Sequence, residues 1–159
     1  MNIQTLGVTL LLSLLPISEL RGAIPYALSR GWPPALAFGL SVLGNLLVAP
    51  LFLLFLNSLH RWLYRRPWYA GIFTRLVELS RKKIEGPVNR YGYWGLLIFV
   101  AIPLPVTGAW TGVLGGWILG IKPRRVILGV SCGVVIAGIL VLGAALALSP
   151  AFSFMLKRF

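Results

Sequence analysis

The chain has 159 residues, of which 58% are hydrophobic and 11% are charged. A soluble domain usually has about 25% charged residues, so the composition argues against a soluble globular protein and against disorder. Fifteen Lys and Arg face three Glu and no Asp, which gives a formal net charge of +12. The single Cys132 and the single His60 exclude an intrachain disulfide, a Cys- or His-rich metal cluster and a Ser-His-Asp triad. We expect one domain with no cofactor, no metal and no enzymatic activity.

Charge is absent from four long apolar stretches, apart from His60 in the second: 1–18, 31–60, 91–121 and 126–156. Four such stretches in a short chain predict an integral membrane protein. The basic residues lie between these stretches, so we expect the membrane surface and not nucleic acid as their partner. No Lys or Arg precedes the first apolar run, so this run is expected to belong to the mature fold and not to a cleaved signal peptide.

Two of the stretches have the length of a spanning helix. Residues 35–56 predict one helix, which Pro50 is expected to kink and in which Asn45 is the one strongly polar residue. Residues 126–148 predict a second, with small residues for close helix packing at Gly129, Gly133, Gly138 and Gly143.

The other two stretches are interrupted near their middle. A straight helix over 91–121 would be roughly 46 Å long, whereas the hydrocarbon core is about 30 Å thick. The run Pro103–Gly108 divides it into arms 91–102 and 109–120, each roughly 18 Å long. Residues 3–30 have the same design, with a break at 16–19. We predict two re-entrant hairpins; two ordinary kinked transmembrane helices are the alternative.

The two halves of the chain match at an offset of 89 residues, which places Pro16 on Pro105, Ser18 on Thr107, Gly31 on Gly120, Pro34 on Pro123 and Gly44 on Gly133. Weak internal similarity of this kind is typical of transporter folds. The predicted fold is therefore an all-α integral membrane protein with two inverted repeats, each a re-entrant helical hairpin plus a transmembrane helix. Repeat 1 is 3–58, an interfacial linker is 59–90, repeat 2 is 91–148 and a C-terminal tail is 149–159.

The linker 59–90 contains eight Lys and Arg among several Trp and Tyr. This composition is typical of the membrane interface, and the positive-inside rule places the linker in the cytoplasm. Apolar residues recur at helical spacing from about 70 to 85, which predicts an amphipathic helix lying on the membrane and binding anionic lipid head groups.

Glu19 is the only acid inside an apolar segment. An ionised side chain at the bilayer centre costs at least ~2.5 kcal/mol, so such residues usually have a function. Arg21 follows two positions later and does not share a helix face with Glu19. Either the hairpin tip is non-helical and the two side chains pair, which would make them a structural clamp, or each faces another group.

The second arm of each hairpin is expected to begin near the midplane, at Ser18 and Thr107, which are both good N-cap residues. Two helix N-termini together with Arg21 predict a pocket for an anion such as a carboxylate or phosphate. Glu19 is then the candidate for binding a coupling proton or cation. The remaining candidate site residues are Asn45, which alternatively forms a hydrogen bond between helices, and Arg90, Pro103, Pro105 and Trp110.

Several strings resemble the small multidrug export protein family: Glu19-Leu20-Arg21-Gly22-Ala23-Ile24-Pro25, Gly44-Asn45, Arg90-Tyr91-Gly92, and Ile102-Pro103-Leu104-Pro105-Val106-Thr107-Gly108-Ala109-Trp110-Thr111-Gly112. That family is similar to the DedA (SNARE-associated, VTT) superfamily, for which inverted re-entrant hairpins and lipid-phosphate translocation are proposed. The resemblance implies that Glu19 and Arg21 are the acidic and basic motif of the first hairpin and that Arg90 and Gly92 enter the second. DedA relatives also have arginines in the second hairpin, and this chain has none there.

These observations predict a membrane transporter or a lipid flippase or scramblase, coupled to protons, that moves an anionic or amphiphilic substrate such as a lipid phosphate. A small multidrug exporter is one alternative, and a non-transporting scaffold for lipid or a partner protein is another. We expect a location in a prokaryotic cytoplasmic membrane. A homodimer is a further hypothesis, with the glycine-rich face around Gly138 as its candidate interface.

Overall fold

The computed structural model describes residues 3–104 and 107–156, and within these ranges the regular structure is entirely helical. In chain order the helices are α1 Ile3–Leu14, α2 Glu19–Ser29, α3 Pro34–Leu46, α4 Val48–Asn57, α5 His60–Leu63, α6 Pro67–Tyr91, α7 Tyr93–Ala101, α8 Ala109–Ile118 and α9 Pro123–Leu156. Each half contains two short helices followed by a longer apolar segment, which is α3 with α4 in the first half and α9 in the second, and α5 and α6 lie between the halves.

Two apolar segments are long enough to cross a membrane, Pro34–Asn57 and Pro123–Leu148. They correspond to the two predicted spanning helices. The first is divided at Leu47 into α3 and α4 and is not one continuous helix. Pro50 explains the division, because proline has no N–H to donate to the carbonyl of Leu46 four residues earlier.

The two predicted interruptions are both present. The turn over 15–18 separates α1 from α2, and a non-helical segment that includes residues 102–104 and 107–108 separates α7 from α8. α1 packs against α2, while α7 packs mainly against α9 and touches α8. The core lies between α2, α3, α7, α8 and α9 and includes the fully buried Ile24, Leu96, Leu114 and Val130.

The second short helix of each half ends in the same way. Gly31 follows α2 with φ 76°, and Gly120 follows α8 with φ 68°. In each case the glycine N–H donates to the carbonyl three residues earlier, and the next N–H donates to the carbonyl five residues earlier. This is the Schellman motif, which needs the left-handed conformation that glycine adopts without strain. The Gly31–Gly120 match in the sequence thus has a common structural cause.

Glycines also set the helix crossings. A Cβ atom on Gly44 in α3 would lie 2.1 Å from Ser13 Oγ in α1, and one on Gly133 in α9 would lie 2.7 Å from Val100 Cβ in α7. The long helix of each half therefore approaches the first short helix of the same half at a glycine. A Cβ atom on Gly138 would lie 2.9 Å from Phe38 Cε2, so this part of the glycine-rich face packs within the chain. The homodimer stays a prediction.

The linker folds into α5 and the 25-residue α6. The predicted helix over 70–85 is confirmed and extends further in both directions. α6 packs against α7 and α8, with Phe73 buried and Trp68 and Ile72 exposed. Because Phe73 reaches the core, one face of this helix is part of the packed structure.

Candidate functional site

The two interruptions lie next to each other in the structure. The indole Nε1–H of Trp110, in the first turn of α8, donates to the carbonyl oxygen of Leu14 at the end of α1 over 2.9 Å. Glu19 and Arg21, which follow the first interruption, form hydrogen bonds with the second interruption and the start of α8. Contacts across 83 to 96 residues of sequence therefore join the two breaks into one site.

Glu19 binds the N-terminus of α8. One carboxylate oxygen accepts from the backbone N–H of Ala109 at 3.3 Å, and the other accepts from that of Trp110 at 3.4 Å. The residue is only 7% exposed, and its φ of 44° is a left-handed conformation that costs a non-glycine residue energy. The strained backbone directs a carboxylate to the end of a helix where free N–H groups and the dipole stabilise negative charge.

Gly108 makes room for that carboxylate. A Cβ atom at this position would lie 2.0 Å from Glu19 Oε2, which is far inside contact distance. The backbone of Gly108 is extended, with φ 163°, so the requirement for glycine comes from space alone. Gly108 was not among the predicted site residues, although the offset of 89 pairs it with Glu19.

Arg21 binds the segment that precedes α8. Its two terminal nitrogens donate to the carbonyl oxygens of Leu104 and Thr107, respectively. Glu19 and Arg21 thus each face another group, at the second interruption or at the start of α8, which was one of the two predicted arrangements. The carboxylate accepts from free N–H donors of α8, and the guanidinium donates to two carbonyls of the break.

Ser18 is the N-cap residue of α2, as predicted, whereas the N-cap of α8 is Gly108 and not Thr107. Neither Ser18 nor Thr107 forms a side-chain capping bond. Ser18 Oγ donates to the carbonyl of Leu12 at 2.5 Å. Thr107 Oγ1 lies within 2.7–3.0 Å of the carbonyl of Ile102 and of the N–H and carbonyl of Leu104, and so stabilises the non-helical segment. These hydroxyls form no caps because the carbonyls of the adjacent turns compete for them.

A cavity of about 650 Å³ opens beside this site. Its polar groups come from Glu19, Arg21, Thr107 and Thr111, and the rest of its lining is apolar and largely aromatic: Pro16, Ile17, Phe52, Phe55, Tyr69, Ile72, Phe73, Trp110 and Leu114. The Phe52 and Trp110 rings pack with centroids 4.7 Å apart. Trp110 thus lines a cavity, as predicted, whereas the contributions of α4 and α6 were not foreseen.

An aromatic cluster covers the α6 side of the cavity. His60, at the start of α5, lies 4.1 Å from Phe73 between ring centroids, and its Nδ1 is 3.1 Å from the Tyr69 hydroxyl. Burial lowers the pKa of His60 below its ordinary value of 6.5 and raises the pKa of Tyr69. Because the neutral imidazole is favoured, His60 acts here as an aromatic packing residue.

The other predicted site residues occupy different surroundings. Asn45 is buried in α3 and donates to the carbonyl of Ser13 at 2.8 Å, so the predicted hydrogen bond between helices is present. Pro103 lines a small void beside Glu19. Arg90 lies in the last turn of α6, but its side chain is outside the described part of the structure, as is Pro105 altogether.

The sequence model of a family described as "Putative small multi-drug export protein" matches residues 19–140, about three quarters of the chain. The chain belongs to this family. The match begins at Glu19, directly after the first interruption, and contains the whole of the second. Neither the curated proteins nor the solved structures that were compared with the chain gave a match. The similarity to the DedA superfamily stays a prediction.

Proposed function

We propose that this protein is a transporter that moves an amphiphilic molecule across the membrane through the 650 Å³ cavity. The observation that carries the proposal is the combination of an aromatic wall with a buried carboxylate and a guanidinium in one cavity, next to the N-terminus of α8. Such a site suits a molecule with an apolar body and a polar head. The family description favours export of small organic molecules.

Helix lengths support a re-entrant arrangement. α1, α2, α7 and α8 contain 12, 11, 9 and 10 residues, so each is roughly 14–18 Å long. These lengths are about half the thickness of a hydrocarbon core of about 30 Å. Each pair would therefore enter the membrane, turn near the midplane and return to the same side.

Reciprocal contacts support two symmetry-related repeats. At the offset of 89, Arg21 corresponds to Trp110. Arg21 donates to carbonyls of the second break, and Trp110 donates to the carbonyl of Leu14 just before the first break. A pseudo-twofold axis between the two breaks would produce such an exchange. The equivalent caps at Gly31 and Gly120 agree with this relation.

Glu19 is the proposed proton-linked residue. Protonation would make its carboxyl group a weaker acceptor for the N–H groups of Ala109 and Trp110, because hydrogen bonds to a charged group are about twice as strong as neutral ones. It would also remove the charge that the helix dipole stabilises. The contact between Glu19 and α8 would then hold the two hairpins together until Glu19 is protonated.

The head group of the substrate would bind at Arg21. A guanidinium has five N–H donors, and two of those of Arg21 are bonded within the described structure. The others can donate to a phosphate or carboxylate oxygen, which favours an anionic amphiphile such as a lipid phosphate. Export of cationic drugs, which would stack on the aromatic wall, is the alternative that the family description favours.

The route into the cavity would be lateral, from the lipid. Ile17 in the turn after α1 and Ile72 in α6 line the cavity and are 93% and 65% exposed. The opening between them is therefore apolar on both sides. An amphiphile already dissolved in the bilayer could enter there without exposing its tail to water.

Reconstituted vesicles test the proposal. We would measure translocation of a fluorescent short-chain phosphatidic acid and, separately, efflux of ethidium. Thr111→Trp fills the cavity and should reduce transport at least about tenfold, whereas the matched Ile136→Trp on the exposed face of α9 should not. Movement of the lipid alone supports the anionic substrate, and movement of ethidium alone supports the drug exporter. If folded protein moves neither probe, the transport proposal is wrong.

Proton coupling and topology need separate measurements. Glu19→Gln should make transport independent of a pH gradient, while the control Glu78→Gln in the exposed part of α6 should not. Single cysteines at the exposed Arg30, Lys82 and Lys122, in a Cys132→Ser background, test the hairpins. Labelling of Lys82 and Lys122 from one side and Arg30 from the other supports inverted re-entrant repeats. Labelling of Arg30 together with Lys122 contradicts them.

A further inference from the structure

Asn45 has an unsatisfied acceptor in the interior. The residue is fully buried, and its Nδ2 donates to the carbonyl oxygen of Ser13 at 2.8 Å. A carbonyl can only accept, so this bond fixes which end of the amide is nitrogen and which is oxygen. The Oδ1 atom has no hydrogen-bond partner within the described structure. A buried acceptor without a partner is costly and usually marks a bound water or ligand.

A small chamber adjoins Asn45. It has a volume of about 10 Å³ and lies between Asn45 of α3, the Glu19–Arg21 region and Thr107. Val134, Ala137 and Val141 of α9 close another side. This space is at the lower limit of what admits one water molecule, and the chamber has the polar partners that a buried water requires.

Glu19 lies between this chamber and the large cavity, because Glu19, Arg21 and Thr107 line both voids. Arg21 is the one charged residue other than Glu19 in the lining of the chamber, and the α9 side contributes apolar groups only. A molecule in the chamber could therefore donate a further hydrogen bond to the carboxylate from the side of α3.

We propose that the chamber holds one water molecule that donates to Asn45 Oδ1 and to the Glu19 carboxylate, and that Asn45 is a positioning residue for the coupling proton. This inference rests on the proposed role of Glu19 in transport. The water adds a third donor to the carboxylate beside the N–H groups of Ala109 and Trp110. It thereby stabilises the ionised form and sets the pH at which the contact between Glu19 and α8 is released. A cation such as Na⁺ is less suited, because the Arg21 guanidinium lines the same small space.

Infrared spectroscopy of the full chain in lipid tests the proposal without a transport assay. The sequence has only three Glu and no Asp, so the band of a protonated carboxyl that disappears in Glu19→Gln belongs to Glu19. An O–H band that shifts in oxygen-18 water belongs to a water molecule, and it reports the chamber when a variant that fills this space removes it. Asn45→Leu should remove the water band and increase the proton affinity of Glu19 about tenfold, as expected for loss of one hydrogen bond to a charged group.

Two further variants separate this effect from a general loss of stability. Ala137→Val fills the chamber from α9, leaves the Asn45–Ser13 bond in place and should reproduce both changes. Ser41→Ala removes the other unpartnered buried oxygen of α3, which does not line the chamber, and should change neither.

The outcomes distinguish the two proposals. If the water band is absent from the wild type, or if Glu19 titrates identically in the wild type, Asn45→Leu and Ala137→Val, the water site is overturned even when transport is proton-coupled. A titration that depends on Na⁺ against choline would also overturn it, since a cation would then occupy the chamber. If the water band and the shift are observed but no probe is transported, the water site is supported and the transport function fails.

Discussion

The close contact between Gly108 and Glu19 makes Gly108→Ala the most informative single substitution. An alanine Cβ would lie 2.0 Å from Oε2, 2.5 Å from Cδ and 2.6 Å from Oε1 of Glu19. These are the atoms of the carboxylate itself, whose two oxygens are already bonded to α8. The carboxylate cannot shift by more than 1 Å and keep its hydrogen bonds at 3.3 and 3.4 Å.

The expected cost follows from the interactions that are lost. Hydrogen bonds to a charged group contribute about 1.5–3 kcal/mol, and a buried charge that loses its partner is destabilising by about 3–5 kcal/mol. Alanine in place of glycine also lowers the conformational entropy of the unfolded chain, which offsets about 0.5–1 kcal/mol of this cost. We expect Gly108→Ala to lower the free energy of unfolding by roughly 2–4 kcal/mol. For a chain of this size that corresponds to a decrease in Tm of roughly 4–16 °C.

Thermal unfolding in detergent, followed by tryptophan fluorescence, measures this change. Gly143→Ala is the control, because a Cβ atom there meets nothing within 4 Å. Glu19→Gly removes the carboxylate and also relieves the left-handed backbone at φ 44°. In that background Gly108→Ala should cost less than about 1 kcal/mol. A Gly108→Ala variant as stable as Gly143→Ala, or a penalty that persists in the Glu19→Gly background, would refute the proposed contact.

Three further changes test other parts of the structure by the same measurement. Arg21→Gln should lower the free energy of unfolding by about 1–3 kcal/mol, because two carbonyls of the second break lose a charged donor; an equal loss in the exposed Arg30→Gln would contradict this. Gly133→Ala should cost about 1–3 kcal/mol through overpacking, whereas Gly39→Ala, with open space around it, should not. Burial lowers the pKa of His60, so the stability that its neutral form contributes is complete above pH 6.5 and is lost as the pH falls through the lowered pKa. His60→Gln should therefore show a smaller decrease in Tm on acidification below pH 6.5, and an unchanged pH profile would disprove the assignment.

Much of the organisation follows from sequence because it depends on local rules. Uncharged runs of about 20 residues define candidate membrane segments, and proline and glycine interrupt helices wherever they occur. The two breaks, the two long helices and the helix in the linker were therefore predictable. The matched glycines at 31 and 120 were also recognisable, since the conformation they adopt is a property of the local backbone.

The bonding of two hydroxyl groups was not predictable from the sequence, because several local hydrogen-bonding arrangements compete for them. Ser18 and Thr107 are of residue types that often cap helices through their side chains, but their hydroxyls bond to carbonyls of the adjacent turns instead. More than one hydrogen-bonding arrangement fits the sequence at these two positions, and the surrounding packing selects one.

Glu19 and Arg21 are recognisable as unusual from the sequence, because ionisable residues are rare in apolar segments. The groups that they bind depend on the tertiary fold. Their partners at Leu104, Thr107, Ala109 and Trp110 lie 83 to 91 residues away, and the partner groups are backbone atoms that every residue possesses. No side-chain pattern can reveal such contacts. The space at Gly108 and the cavity beside it exist only where separate helices come together.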